Sequence, residues 1–178
     1  VAQYDSNFIH KINAFKGELA KIPGVTKAAS SSRVPGMMTG RIFDVRPSGL
    51  NRDKGYSTSF MDIDFAYTDL YELEPISGRK LRLSDHDFNG GLVKNILINE
   101  AAVELFGFES PEKALNEQLS FGTNRRSWDI VGVLPNFHQR SLQYKIEPLV
   151  FLPFYSPNHF ISVKMENADV ATVLAAAQ

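Results

Sequence analysis

The feature that most constrains the fold is the stretch from Lys94 to Leu142, in which two apolar segments enclose two predicted helices. The first segment, Ile96 to Ile98, is a continuous apolar run typical of a strand that is buried on both faces. The second segment, Trp128 to Leu134, carries apolar side chains at both odd and even positions. Its predicted faces hold Trp128, Ile130 and Leu134 on one side and Val131 and Val133 on the other. We therefore predict that these two strands form the centre of a packed unit.

The segment between these strands has the start and stop signals of two short helices. Asn99 stands at an N-cap position, and Gly107 ends the apolar repeat that follows it. We assign Asn99 and Glu100 to this cap in preference to a charged functional pair. Ser110 precedes Pro111, which suits a first helical position because its missing N–H would have no intrahelical partner there.

The flanking segments predict further helices and strands. A helix is expected from Tyr4 to Ile22, because apolar residues recur there at helical spacing. Its predicted buried face holds Phe8, Ile9, Ile12, Phe15, Leu19 and Ile22, and its solvent face Lys11, Lys16, Glu18 and Lys21. The remaining predicted strands are Val25–Ser31, Arg41–Arg46, Tyr56–Phe65, Leu149–Phe154 and Phe160–Met165, and the remaining predicted helices are Phe65–Leu73 and Ala168–Ala177. Imperfect alternation in Tyr56–Phe65 indicates a strand near an edge.

Composition excludes several classes of function. The 178 residues carry 19 basic and 20 acidic side chains, so no broad positive field attracts nucleic acid. The absence of cysteine excludes disulfides and thiolate metal sites. No apolar run approaches the roughly 20 residues that a membrane-spanning helix needs.

One polar segment imitates part of a calcium-binding loop. Asp85 to Gly90 places oxygen ligands at alternate positions and then a glycine, as the first half of such a loop does. The twelfth position is Ile96, where a bidentate carboxylate would be required. We therefore expect a solvated turn, with no metal and no cofactor in the protein.

His138 supports an alternative function as a hydrolase. On paper, it combines with a serine and with Asp129 or Glu147 into a catalytic triad. No serine lies in a Gly-x-Ser-x-Gly nucleophile elbow, which disfavours catalysis. We accordingly predict no catalytic residues.

The loop from Ser32 to Thr39 is the predicted partner-contact site. Arg33, Pro35, Met37 and Met38 are its candidate residues, because flexible methionine side chains suit an adaptable protein contact. Core packing of the two methionines is the alternative interpretation.

Six motifs in order carry a resemblance to a known family. They are PGV at 23–25, SRVPG at 32–36, SGR at 77–79, ILINEAAVELFGFESPEKALNEQL at 96–119, WDIVGVLPNFHQRSL at 128–142 and EPLVFLP at 147–153. Together they resemble the extracytoplasmic core domain of MacB-like ABC transporter permeases, which include FtsX and the lipoprotein-release permeases. The FHQRSL segment resembles the variety found in Bacteroidetes.

The resemblance implies an α+β fold of two lobes. Residues 1–74 and 154–178 would form a porter-like β-α-β lobe, whose last β-α-β unit would be incomplete at residue 178. Residues 75–153 would form an inserted small mixed α/β lobe. It also implies a non-enzymatic domain at the periplasmic face of the bacterial inner membrane, which couples cytoplasmic ATP hydrolysis to efflux, lipoprotein release or mechanotransmission. The implied partners are a cytoplasmic ABC ATPase, a second permease subunit, and a periplasmic adaptor or a lipoprotein or peptide substrate. A soluble periplasmic hydrolase and a stand-alone substrate-binding module are the rival functions.

Overall fold

The computed structural model describes residues 6–48, 55–86, 94–121, 126–153, 160–166 and 170–176, and in these ranges helices accompany a large sheet. The helices are α1 (Ser6–Leu19), α2 (Tyr67–Leu70), α3 (Glu100–Phe106), α4 (Pro111–Ala114) and α5 (Val170–Ala176). The strands are β1 (Val25–Ser31), β2 (Gly40–Pro47), β3 (Tyr56–Ile63), β4 (Ser77–Gly78), β5 (Asn95–Asn99), β6 (Gln118–Phe121), β7 (Arg126–Leu134), β8 (Leu149–Pro153) and β9 (Phe160–Met165). The predicted α+β class is confirmed.

The described strands belong to one mixed sheet. Its order is β2-β6-β7-β5-β8-β3-β1-β9, and β4 pairs with β7. β2 pairs with β3 as well as with β6. The strands β2, β6, β7, β5, β8 and β3 therefore close into a ring. The parallel pairs are β5 with β7 and β3 with β8.

Apolar side chains cover both faces of the central strands. In β5, Ile96 and Ile98 enter one buried cluster, which α3 covers, and Leu97 enters a second cluster on the opposite face, beside α2. All three side chains are fully buried. The prediction of a strand buried on both faces is therefore confirmed.

The predicted alternation of the second central strand is partly wrong. Ile130 and Val133 belong to the first cluster, whereas Val131 and Leu134 pack with the second. The register between β5 and β7 shifts by one residue at this point, because Ile130 pairs with Ile96 but Gly132 pairs with Leu97. A bulge of one residue reverses the facing of every side chain after it.

Asn99 caps α3 and also fixes the start of β8. Its side-chain oxygen accepts the Ala102 N–H at 3.0 Å and the Leu149 N–H at 2.9 Å, and its amide donates to the Glu147 carbonyl at 2.9 Å. Gly107 ends the helix in the left-handed conformation at φ 79°. The predicted cap is confirmed, and it also joins a helix to the loop before a distant strand.

Two of the recognised motifs meet where β4 crosses β7. Gly78 of the SGR motif pairs with Gly132 of the IVGV sequence. A Cβ atom on Gly132 would lie 2.3 Å from the Arg79 carbonyl oxygen, so a side chain there would push the strands apart. Arg79 then forms a bidentate ion pair with the Asp85 carboxylate at 2.6 and 3.0 Å.

The facing of α1 differs from the prediction at two positions. Phe15 is 44% exposed, whereas Lys16 is buried and forms an ion pair with Asp64 at the end of β3. The same carboxylate accepts the Ser30 N–H at 2.8 Å and the Ala66 N–H at 3.0 Å. Placing Lys16 on the solvent face was therefore wrong, because a buried partner 48 residues away draws it under the helix.

The edge of the sheet also lies elsewhere than predicted. β3 is an inner strand, which pairs with β2, β1 and β8, so its assignment near an edge was wrong. At the end of the strand order, β9 pairs with β1 along its length. No helix in the described ranges is long and apolar enough to cross a membrane.

Strands from both predicted lobes share this sheet. β2 and β3, from residues 1–74, pair with β6 and β8, from residues 75–153. Both buried clusters likewise draw side chains from the two sets of residues. The division into lobes stays a prediction.

Candidate functional site

The predicted partner-contact loop, 32–39, presents both methionines to solvent. Met37 is 37% exposed and Met38 69% exposed, so the alternative of core packing does not hold. Pro35 is also exposed. Arg33 instead turns back on its own loop, because its guanidinium donates to the carbonyls of Ser32 at 2.6 Å and Met38 at 2.9 Å. Arg33 therefore shapes this loop.

A second loop, residues 135–148, holds the first in place. The buried Gln139 side chain donates to the Val34 carbonyl at 2.9 Å, and its backbone carbonyl accepts the Gly36 N–H at 2.8 Å. Loop 135–148 is itself tied to α3, because Glu100 accepts the Asn136 N–H and Asn136 accepts the Ala101 N–H. We call loops 32–39 and 135–148 the paired loops.

Truncating Gln139 is expected to loosen the paired loops. Gln139→Ala removes the bond to Val34 and should cost about 1 kcal/mol of unfolding free energy, the net value of one hydrogen bond. Hydrogen exchange at the Gly36 amide should become faster, because the loop that carries its acceptor is less constrained. The control is Gln118→Ala, which removes an exposed bond to Asp129. Unchanged exchange at Gly36 would show that other contacts hold the loop.

The paired loops expose two further apolar side chains that the sequence analysis missed. Leu142 is 79% exposed and Tyr144 51% exposed. The Arg140 guanidinium lies 4.0 Å from the centre of the Tyr144 ring and covers one face of it. The sequence signal nearest to these exposed side chains is the FHQRSL motif, which indicates a family and does not predict which side chains reach solvent.

Glu147 anchors the end of the second loop to the sheet. Its carboxylate accepts the Ser59 hydroxyl at 2.7 Å and an Arg140 N–H at 3.1 Å. The Ser59 hydrogen bond, followed by the charge and hydrogen bond of Arg140, holds the pKa of this carboxyl below its usual range. Glu147 is therefore an ionised structural anchor at neutral pH.

The geometry disfavours the hydrolase alternative, although Ser59, His138 and Glu147 line the same cavity. Ser59 is 1% exposed, and its hydroxyl donates directly to Glu147 instead of to an imidazole. His138 is exposed, and the other carboxylate considered for the triad, Asp129, accepts a hydrogen bond from Gln118. A triad needs the histidine between the serine and the carboxylate, and this arrangement omits it.

Asp85, the first residue of the calcium-like segment, already has a full set of donors. Its carboxylate accepts from the Arg79 guanidinium, from the Arg82 N–H at 2.7 Å and from the Asn95 amide at 2.7 Å. These bonds outweigh desolvation by burial and lower the pKa of Asp85. Residues 87–90 of that segment lie outside the described residues.

Solved structures of transport proteins share this fold. One is a domain of a Porphyromonas gingivalis protein described as a permease, 18% identical, with 84% of this chain and 65% of that chain covered and a TM-score of 0.56. The extracellular domain of the ABC-type transporter YknZ from Gram-positive bacteria is 18% identical, with 92% and 76% covered and a TM-score of 0.58. The periplasmic region of MacB from Actinobacillus actinomycetemcomitans is 14% identical, with 93% and 70% covered and a TM-score of 0.55.

No family model matches the chain, and none of the curated proteins matches it. The chain spans 65% of the length of the Porphyromonas gingivalis domain. The likeness is therefore one of fold, and the resemblance predicted from the motifs is confirmed at that level. This chain has the fold of the extracytoplasmic domains of MacB-like ABC transporters.

Proposed function

We propose that this chain is a non-catalytic extracytoplasmic domain of an ABC transporter permease, which transmits the effect of cytoplasmic ATP hydrolysis to the outer side of the membrane. The observation that carries this proposal is the shared fold, which extends over 84% to 93% of the chain in three transport-related structures. The Ser59–Glu147 hydrogen bond also supports it, because it ties loop 135–148 to β3 and involves no imidazole.

The partners follow from this role. The ATPase acts through the full-length permease, and a second permease subunit completes the transporter. The paired loops are the surface proposed to meet a periplasmic adaptor or a lipoprotein or peptide substrate, through Met37 and Met38, with Pro35 at the same exposed turn and Arg33 supporting it. Exposed methionines suit such a contact because their side chains adapt to differently shaped partners.

Chemical labelling tests the proposed location. These 178 residues contain no cysteine, so Met38→Cys adds one exposed thiol to this domain, and any cysteine elsewhere in the full-length protein is replaced by serine. In the full-length natural protein within intact spheroplasts, a membrane-impermeant maleimide should label this thiol from outside. Labelling that requires lysis would place the domain in the cytoplasm and refute the proposal. Val133→Cys, at a fully buried position, is the control for accessibility.

A disulfide across the two predicted lobes tests transmission. Arg46 and Ser120 are cross-strand partners on β2 and β6, one from each lobe, and Ser120 and Ser127 are partners within the second lobe. If the lobes move, a disulfide in Arg46→Cys/Ser120→Cys should slow transport-coupled ATP hydrolysis by the full-length transporter, and a reductant should restore it. The Ser120→Cys/Ser127→Cys pair should leave the rate unchanged. Equal rates for both pairs under oxidising conditions would remove the support for moving lobes.

A hydrolase screen tests the absence of catalysis. We expect no turnover of ester, peptide or phosphoester substrates by the 178-residue chain beyond the buffer rate. Turnover that His138→Ala abolishes, with the fold retained, would overturn the transmitter proposal and favour the hydrolase.

A further inference from the structure

An open cleft lies between the end of loop 135–148 and the strands β2 and β3. Its volume is about 410 Å³, within the roughly 300–1,000 Å³ of small-ligand sites. The residues that line it are Arg41, Ser57, Thr58, Ser59 and the segment 144–148. Segment 144–148 belongs to the paired loops, whereas Arg41, Ser57 and Thr58 take no part in the proposed partner contact.

The floor of the cleft is held by hydrogen bonds that need no ligand. The Pro148 carbonyl accepts the Thr58 hydroxyl at 2.9 Å and the Ser59 N–H at 3.1 Å. Glu147 is held on both sides, because its carboxylate accepts from Ser59 and its carbonyl accepts from Asn99. A preformed floor lowers the entropy cost of binding.

The charges that line the cleft favour an anion. Arg41 and Lys145 are both exposed cations. The carboxylate of Glu147 is the acidic group of the lining; it forms an ion pair with Arg140 and also feels the positive charge of Arg41, so cationic charge is in excess around the cleft. Within the described part of the chain, neither the Lys145 ammonium nor the Ser57 hydroxyl has a hydrogen-bond partner, so both can donate to a ligand.

The cleft also has an apolar wall. The Tyr144 ring is half-exposed, with one face covered by Arg140, and Ile146 is partly buried beside it. An aromatic ring next to exposed cations suits a ligand whose charged end is joined to an apolar body.

We propose that this cleft binds an organic anion, a carboxylate or phosphate carried on an aromatic or apolar body. Arg41 and Lys145 hold the charged group, Ser57 donates a hydrogen bond to it, and Tyr144 and Ile146 contact the body. A carboxylate would come from a chain terminus or an acidic small molecule, and a phosphate from a phosphorylated one.

Titration followed by amide NMR tests the proposal on the 178-residue chain. The probes are N-acetylphenylalanine, phenyl phosphate and the uncharged N-acetylphenylalaninamide. At least one of the two anions should bind saturably and shift the amides of Ser57, Thr58 and Lys145, and the uncharged amide should not. Saturation by one anion alone identifies which group the cleft prefers, and saturation by both shows a general anion site.

Substitutions locate the binding. Arg41→Gln and Lys145→Gln should each weaken anion binding on the order of tenfold, since each removes a charged donor. Lys113→Gln, which neutralises an exposed lysine of α4, is the matched control and should leave the affinity unchanged. Tyr144→Ala should weaken the binding of N-acetylphenylalanine but not that of acetate, which has no aromatic body for the ring to contact.

Three results would overturn the proposal. They are binding of the uncharged amide as tightly as the acid, unchanged affinity in both cation variants, and shifts that map away from the cleft. The assay needs no transporter, so its outcome is separate from that of the proposed function.

Discussion

Replacing Asp64 with alanine is expected to lower the free energy of unfolding by about 3–5 kcal/mol, the cost of removing one partner of a buried ion pair. The substitution leaves the Lys16 ammonium in a site where 8% of its side chain is exposed. It also removes the acceptor of the Ser30 and Ala66 N–H groups. Urea denaturation with linear extrapolation measures the loss.

Two comparisons separate burial from simple loss of an ion pair. Glu18→Ala breaks the ion pair between Glu18 of α1 and Lys21, which follows the helix. Their side chains are 69% and 71% exposed, so the change in stability should be less than about 1 kcal/mol. Lys16→Met combined with Asp64→Asn removes both charges and retains an acceptor oxygen, so it should be less destabilised than Asp64→Ala. If Asp64→Ala costs no more than Glu18→Ala, Lys16 reaches water and the pair does not hold α1.

Local patterns predicted most of the elements but could not predict this pair. In α1, helical spacing correctly places Leu19 in the core, because the apolar side of a helix can be read from its own sequence. Lys16 lies under the helix only because Asp64 reaches it from the end of β3. A contact across 48 residues leaves no periodic trace in the sequence.

In the strands, too, local patterns predict burial but not the pairing between distant segments. The Ile96–Ile98 run required cover on both faces whatever its neighbours, and the structure provides it. The bulge at Val131 depends on how β7 pairs with β5, so period-two alternation misplaced Val133 and Leu134. The position of β3 depends on β8, which lies about 90 residues later in the chain.

The candidate site was predicted only in part. Pro35 and Gly36 mark loop 32–39 as a turn, and the exposed methionines there follow from that turn. The cleft requires β2, β3 and the segment before β8 to meet, and Arg41 and Lys145 lie more than a hundred residues apart in the sequence. Isolated cations at such a separation are indistinguishable from ordinary solvated side chains until the fold joins them.

Lowering the pH from 7 to 4 is expected to destabilise the protein through His86 by about 3 kcal/mol. Burial lowers the pKa of His86 from 6.5 to about 4, with nearby Lys16 acting in the same direction and Asp85 opposing it. His86 is 4% exposed and packs against the Phe65 ring. Because the folded-state pKa is the lower one, His86 is protonated in the unfolded chain but neutral in the folded chain at pH values between these two pKa values. The stabilisation is therefore complete above pH 6.5 and is lost as the pH falls towards 4, at about 1.4 kcal/mol per unit.

The difference between two variants isolates this contribution. His86→Leu removes the titrating group, so the fall in unfolding free energy between pH 7 and 4 should shrink by about 3 kcal/mol relative to the unsubstituted chain. His138→Gln changes an exposed histidine and should retain the full pH dependence. The carboxylates, including Asp85 and Glu147, are present in all three proteins, so their titration contributes to each of the three pH profiles. Parallel pH profiles for His86→Leu and the unsubstituted chain would show that His86 is protonated in the folded state as readily as in the unfolded one.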